Sequence, residues 1–388
     1  MALVATLAAM PDANAQAKAL QNDQLGFVVT KIAFALSRDA SETGGCPDGM
    51  TSGYRTAGDV FVNGPAAPPF AESAEPATLE RALTHARITD AQNYCQNPEL
   101  GVPDANFHVV TGANVPALGI DLDGQESRAK WRPAPGTCAH DDFPGLNGEH
   151  GIDNQFFRVV GCSKSFQSTG LSNTFESEML TGAWGILITL SGVDDLLNDD
   201  DVEVGFYANA DPIQLSPARE PLPYVTYAID QDPRFHATSH GRIVNGVLTT
   251  DPVDVRFHST VNGMHGERRL QDARVRLSIT ADRELNGILA GYTSVEDMYD
   301  FGFGFRRQTD GVGRPASHRL QSISSIGYAI TQGHTCQGVY YALKKYADGH
   351  RDPATGQCQA ISTQYRIRAI PAFVVNKVTR SVNSALDK

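Results

Sequence analysis

The tetrad Asp121-x-Asp123-Gly124 in "IDLDGQES" sets two carboxylates two residues apart, just ahead of a glycine that frees the backbone to turn. A second acidic stretch, "CAHDDFPGLNGEHGIDNQFFRVVGC", runs from Cys138 to Cys162 and carries Asp141, Asp142, Glu149, Asp153 and Asn154 between its cysteines. Carboxylate, amide and backbone oxygens at this density are the ligand set of a hard cation; Ca²⁺ takes roughly six to eight of them at about 2.3–2.6 Å. The expected metal ligands are Asp121, Asp123, Asp141, Asp142, Asp153 and Asn154, with Ca²⁺ as the cofactor. The pattern is not an EF-hand: counting from Asp121, the sixth residue is Glu126 instead of glycine and the twelfth is Arg132 instead of glutamate. The competing reading is plain turn chemistry, since turns are built from Asp, Asn and Gly.

Histidines offer a different chemistry. His236 and His240 lie in "FHATSH", and His258 and His265 in "RFHSTVNGMH". Pro233, Gly241 and the surrounding alternation argue for a strand there, on which residues four apart still share a face. Converging strands would then gather His236, His240 and His258 on one sheet surface, able to bind Zn²⁺ or to serve acid–base catalysis in a secreted hydrolase. Histidines scattered over the surface are the plainer alternative.

Other constellations carry less. The run "DDLLNDDDVE", with Asp194, Asp195, Asp199, Asp200 and Asp201, reads as a solvated loop tip whose like charges would need a cation or an arginine to sit close. G-x-S-x-G, S-x-x-K and P-loop patterns are absent. In "HTCQG", His334 stands two residues from Cys336, but a disulfide there would remove the thiol. "FGFGFRRQTDGVG" alternates Phe301, Phe303 and Phe305, as a strand does that packs rings into a core or offers a floor to a stacked ligand.

These residues need elements to hold them. From Trp184 to Tyr292 the apolar period is two: "WGILITL", "VEVGFYA", "VDVRFH" and "ARVRLSIT" each alternate, and "IVNGVL" places Asn245-Gly246 between two short apolar runs. The reading is mainly β, an antiparallel β-sandwich core over about 184–292. "SVEDMYDFG", "SHRLQSISSIGYAI" and "GVYYALKKYA" follow with helical spacing. Leu25, Val28, Ile32 and Leu36 suit a helix, whereas Phe27 and Val29 suit a strand, so the 18–62 segment is left open. Helical N- and C-terminal additions around the sandwich are expected. The organisation reads as a signal-peptide remnant over 1–17, an N-terminal segment over 18–62 and a Pro/Ala-rich connector over 63–78. The acidic, cysteine-bracketed region over 79–170, the sandwich over 171–292 and a helical region over 293–388 complete it.

Composition sets the compartment. The 388 residues carry 32 Lys+Arg against 44 Asp+Glu, a net charge of -12 that repels phosphate backbones and anionic lipid. No nucleic-acid partner is expected. An apolar run from Ala2 to Met10, then Pro11 and an A-x-A step around Ala13–Ala17, resembles the h-region and cleavage site of a secretory signal, although the positive n-region is missing. No other run approaches the roughly 18 apolar residues of a membrane span. Six cysteines fall into sequential pairs, Cys46 with Cys95, Cys138 with Cys162 and Cys336 with Cys358, each bracketing a polar loop; these are the expected disulfides. Together the features describe a periplasmic or secreted protein. It would act as a binding or structural component of the cell envelope or extracellular space, with a carbohydrate or another envelope component as its partner.

Overall fold

Among the described residues the strands hydrogen-bond into a single 11-stranded sheet. The computed structural model describes residues 24–36, 44–50, 95–101, 103–105, 107–111, 115–126, 138–167, 170, 176–261, 263–310, 312–332 and 335–376. The signal-like segment and the 63–78 connector lie outside them. The strands are β1 (Gln24–Phe34), β2 (Ile186–Ser191), β3 (Asn198–Ala208), β4 (Thr226–Ala228), β5 (His236–Val244), β6 (Val247–Thr250), β7 (Val253–Val261), β8 (Met264–Ile279), β9 (Leu285–Ser294), β10 (Gly349–Arg351) and β11 (Cys358–Val375).

The path β1-β2-β3-β5-β6-β8-β9-β11 returns to its start, because β1 also pairs with β11, with Phe27 opposite Pro371 and Ile32 opposite Ile367. β7 pairs with the first half of β8, β10 with the start of β11, and β4 runs parallel to its end. The strands expected as a two-layer sandwich over 184–292 thus join one continuous ring of neighbours, completed by a strand from either side of that range in the sequence. The undecided segment resolves as β1, and the C-terminal region supplies β11 besides its helices. Phe27, Val28, Val29 and Ile32 are all buried, so β1 shows no alternation to read; a strand covered on both faces has none. Where one face is wetter the alternation holds: Val255 and Phe257 are buried while Asp254 is exposed. Asn245 and Gly246 take φ of 50° and 73°, as a two-residue hairpin turn demands.

Helices pack around the sheet: α1 (Gln155–Val160), α2 (Glu176–Leu180), α3 (Val295–Tyr299), α4 (His318–Gln332) and α5 (Cys336–Lys345). The last three stand where helical spacing placed them. α1 lies inside the cysteine-bounded stretch and is buried along its whole length, Arg158 included. Phe34 meets Phe156 of α1 at 4.5 Å and Tyr365 of β11 at 5.2 Å between ring centroids, which seats α1 on the sheet. Residues 300–304 form a π-helical turn in place of the expected strand, closed by Phe305 at φ 56°. Phe303 and Phe305 are buried in the core, and Phe301 sits under the buried Arg268 guanidinium at 4.3 Å.

All six cysteines are bonded, but not to their sequence neighbours. The bonds are Cys46–Cys162, Cys95–Cys336 and Cys138–Cys358, with sequence separations of 116, 241 and 220. The 138–162 stretch is therefore no self-closed loop; each end is fastened to a distant part of the chain. Three such bonds fit an exported, disulfide-stabilised protein. Among the described residues no helix is long and apolar enough to cross a membrane.

Peptide mapping without reductant should recover these three long-range pairs, and a Cys138–Cys162 peptide would contradict the fold. Replacing Cys138 and Cys358 together by serine should cost about 3–5 kcal/mol of unfolding free energy on the chain-entropy account of a long closed loop, read by denaturant titration.

Candidate metal centre

The loop after Gly119 is built by its own aspartates. Asp121 Oδ1 accepts the Gly124 N–H at 2.6 Å and Asp123 Oδ1 accepts the Gln125 N–H at 2.7 Å. Asp153 Oδ2 reaches across from the start of α1 to accept the Leu122 and Asp123 N–H groups at 2.6 and 3.2 Å. Turn chemistry is thus real here, and it accounts for one oxygen of each carboxylate. It also draws the three side chains together: one ligand oxygen each from Asp121, Asp123 and Asp153 lie within 4.8 Å of one another. Asp121 and Asp123 are exposed, while Asp153 is only 4% exposed.

Gly151 shapes the rim. A Cβ there would stand 3.2 Å from both Asp121 Oδ2 and the Gln125 carbonyl oxygen, and its φ of 72° is one that side-chain-bearing residues resist. A carboxylate oxygen and a backbone carbonyl therefore approach the same spot.

The sheet grips this loop through Gln364, a buried side chain on β11. Its Oε1 accepts the Ile120 N–H at 2.9 Å, and its Nε2 donates to the Ile120 carbonyl at 2.7 Å and to the Asp153 carbonyl. Gly119 lies so close that a Cβ would come within 2.7 Å of the amide carbon. Sequence reasoning missed Gln364, because a buried glutamine in a strand looks like any other polar residue until its partners are known.

The electrostatics point one way. Burial pushes the Asp153 carboxyl up to about 9, against two backbone donors that favour its anion, and the charges of Asp123, Asp142 and Asp348 add to the rise. Burial also raises Asp348 to about 7, although its Oδ1 accepts the Ser362 N–H at 2.6 Å. Asp123 is raised by desolvation and by Asp121, and Tyr292 is pushed up by burial and then by Asp153 and Asp348. Asp348, in "YADGH", is a second residue the sequence did not flag. Among the described residues no Lys or Arg forms an ion pair with Asp121, Asp123 or Asp153; Arg274 donates to the Leu122 carbonyl and draws Asp123 down only in part.

The remaining expected ligands sit elsewhere. Asn154 caps α1: its Oδ1 accepts the Phe157 N–H at 3.2 Å, and its Nδ2 donates to the Ala35 and Leu118 carbonyls at 3.0 and 3.1 Å. Asp141 offers its backbone carbonyl to Arg158 and Gln155. Asp142 lies outside the triad and adds to the negative field around Asp153 and Arg158. In the 194–201 run, Asp199 accepts from the backbone N–H groups of Asp194, Asp195 and Asp201. That is the turn reading.

His236 and His258 both reach Asp230, the first at its carbonyl and the second at Oδ2 across 2.9 Å. His240 stands apart on the surface against Asp201 at 3.1 Å. His258 borders a cavity of about 310 Å³ shared with His265, Glu267, Asp300 and Arg307. Cys336 is bonded to Cys95 and offers no thiol. No protein-family model matches this chain, and neither the curated proteins nor the solved structures compared with it give a match.

Both raised carboxyls hold protons in the folded chain that the unfolded chain releases near the ordinary carboxylate pKa of about 4. Their contribution is complete below that pH and is lost as pH rises through about 7 for Asp348 and about 9 for Asp153. In chelator, Asp153→Asn and the parent protein should melt alike near pH 4, and the variant should gain progressively toward pH 9. A constant difference across that range would contradict the buried, proton-holding carboxyl.

Proposed function

We propose that this chain is an exported, disulfide-stapled β protein that binds Ca²⁺ through Asp121, Asp123 and Asp153 and serves as a binding or structural component of the cell envelope or extracellular space. The observation that supports it is the meeting of three carboxylate oxygens within 4.8 Å, one from a buried aspartate, with no cationic side chain in an ion pair with them among the described residues. Like charges this close, partly out of water, call for a proton or a cation. Oxygen-only donors select a hard ion, and the Gln125 carbonyl at the rim suits the irregular shell that Ca²⁺ accepts more readily than Mg²⁺. Transition metals fit less well, because every cysteine is in a disulfide and no histidine joins the triad. Disulfides and calcium also belong to the same side of the membrane.

Calcium should raise the melting temperature in a concentration-dependent way, with about 2.7 kcal/mol of stabilisation when free calcium is a hundred times Kd. Asp121→Asn and Asp123→Asn should abolish that gain while melting in chelator no lower than the parent, since each relieves repulsion. Absence of both a binding heat and a melting shift in millimolar Ca²⁺ would sink the reading.

One observation favours a second reading, a secreted hydrolase: the His258–Asp230 pair beside an acid- and arginine-lined cavity is the orienting arrangement of a general base. Hydrolytic activity that disappears in His258→Ala and survives in Asp123→Asn, or stoichiometric zinc in the purified protein, would favour it.

A further inference from the structure

The cavity of about 310 Å³ beside His258 forms where two parts of the chain meet. One wall is a face of the β7–β8 hairpin, on which His258 stands opposite Glu267 and Thr260 opposite His265. The other runs from α3 through the π-helical turn to Thr309 and carries Asp297, Asp300, Arg307 and Gln308. His265 and Thr309 clamp the walls together, each donating its backbone N–H to the other's carbonyl at 2.8 Å.

The full charges on the lining are already answered. Glu267 accepts from Arg269 at 2.8 Å and from Arg234 at 3.0 Å, with Arg256 at 3.4 Å. Arg307 bridges Asp300 and Asp297, and Arg306 holds the second oxygen of Asp300. The neutral groups are less well served. Gln308, only 6% exposed, donates its Nε2 to the Asp300 carbonyl at 3.1 Å, but its Oε1 is buried with no partner among the described residues. A buried acceptor in that state calls for a donor from elsewhere. Both imidazoles are anchored at one nitrogen. His258 donates from Nε2 to Asp230 at 2.9 Å, which makes Nδ1 an acceptor in the neutral ring, and His265 Nδ1 meets the Thr260 hydroxyl at 3.2 Å. Among the described residues of the lining Phe301 alone is apolar, and Arg268 covers its ring at 4.3 Å, so nothing here selects an apolar ligand.

We infer that this cavity binds a neutral, hydroxyl-rich ligand, a single uncharged sugar ring. Carboxylate oxygens only accept and guanidinium groups only donate, and on this lining the two stand side by side in balance. A hydroxyl does both, so a ring of hydroxyls can bridge neighbouring acid and arginine without adding charge. A ligand carboxylate would meet Glu267, Asp297 and Asp300, and a ligand ammonium would meet Arg269 and Arg307; either adds a charge where the existing ones are matched. The volume is at the small end of ligand pockets, roughly 300–1,000 Å³, which suits one ring better than a chain. The ion pairs and the backbone clamp exist before any ligand arrives, which lowers the ordering cost of binding. The inference gives the proposed binding role a ligand class, and it depends neither on calcium at the aspartate triad nor on hydrolysis at His258.

The test is calorimetry on the full oxidised chain in chelator, using free glucose, galactose, mannose and N-acetylglucosamine beside charged galacturonate and glucosamine. Free monosaccharides have no glycosidic bond to break, and chelator removes calcium, so the result is separate from the fate of either earlier reading. At least one neutral sugar should bind, and its charged counterpart about tenfold more weakly or not at all. His265→Ala and Arg269→Gln should each weaken the neutral sugar by up to about tenfold, the order of one lost hydrogen bond, whereas Asp123→Asn leaves binding unchanged. Melting of each variant controls for folding. Should His265→Ala destabilise the chain, Arg269→Gln at the exposed rim carries the test. No heat from any neutral sugar at millimolar concentration overturns the inference. So does binding of galacturonate or glucosamine as tight as that of galactose or glucose, and so does binding that neither substitution weakens.

Discussion

The side-chain amide of Gln364 is where the sheet takes hold of the acidic loops. It is buried on β11 and meets three backbone groups from two segments, those of Ile120 and the carbonyl of Asp153. An amide in such a place is costly to leave unpaired, and its partners are backbone groups, of which the Ile120 carbonyl also accepts the Asp153 N–H at 3.3 Å. The mutual satisfaction fixes the distance between the Asp121–Asp123 turn and the start of α1. Only because that distance is fixed does Asp153 reach the N–H groups of Leu122 and Asp123, and only then do three carboxylates face one another.

Asp153 shows the tension in that arrangement. Its two backbone donors favour the anion, yet burial and three neighbouring acids favour the neutral form more strongly. Of the three aspartates it is the one withheld from solvent, so it sets the character of the centre. Arg158, close by in α1, does not neutralise it: its guanidinium is committed to Gln155, Val110 and Asp141 and lies 4.3 Å over the Phe143 ring.

Much of the sheet was legible because strands with one wetter face write their burial into the sequence, as β7 and the β5–β6 hairpin do. β1 was illegible for the opposite reason. Phe27, Val28 and Val29 are buried consecutively, and Val28 with Leu25, Ile32 and Leu36 satisfies a helical spacing as well. The alternating phenylalanines misled because Phe301, Phe303 and Phe305 serve a π-turn whose rings all find apolar surroundings. Of the six ligands expected, three meet. Asp121 and Asp123 were legible from D-x-D-G, and Asp153 only as one acid among several. Asn154 went instead to capping α1, a helix hidden within what read as loop. The cysteines were recognisable as bonded, but which sulfur meets which is decided by tertiary packing, and proximity in sequence carries little of that information.

The long-range sulfur pairs have a consequence for how the chain matures. As the chain lengthens from its N-terminus, Cys46 meets Cys95 well before Cys162 is made, and Cys138 can meet Cys162 long before Cys358 exists. β1, too, must wait for the last strand before its second edge is covered. Oxidation that runs ahead of synthesis therefore fills the wrong bridges first. Reaching the native set then requires those early bonds to be broken and re-formed by thiolate exchange. Wherever oxidation does run ahead of synthesis, recovery of Cys46–Cys162 and Cys138–Cys358 calls for sulfur exchange as well as bond formation.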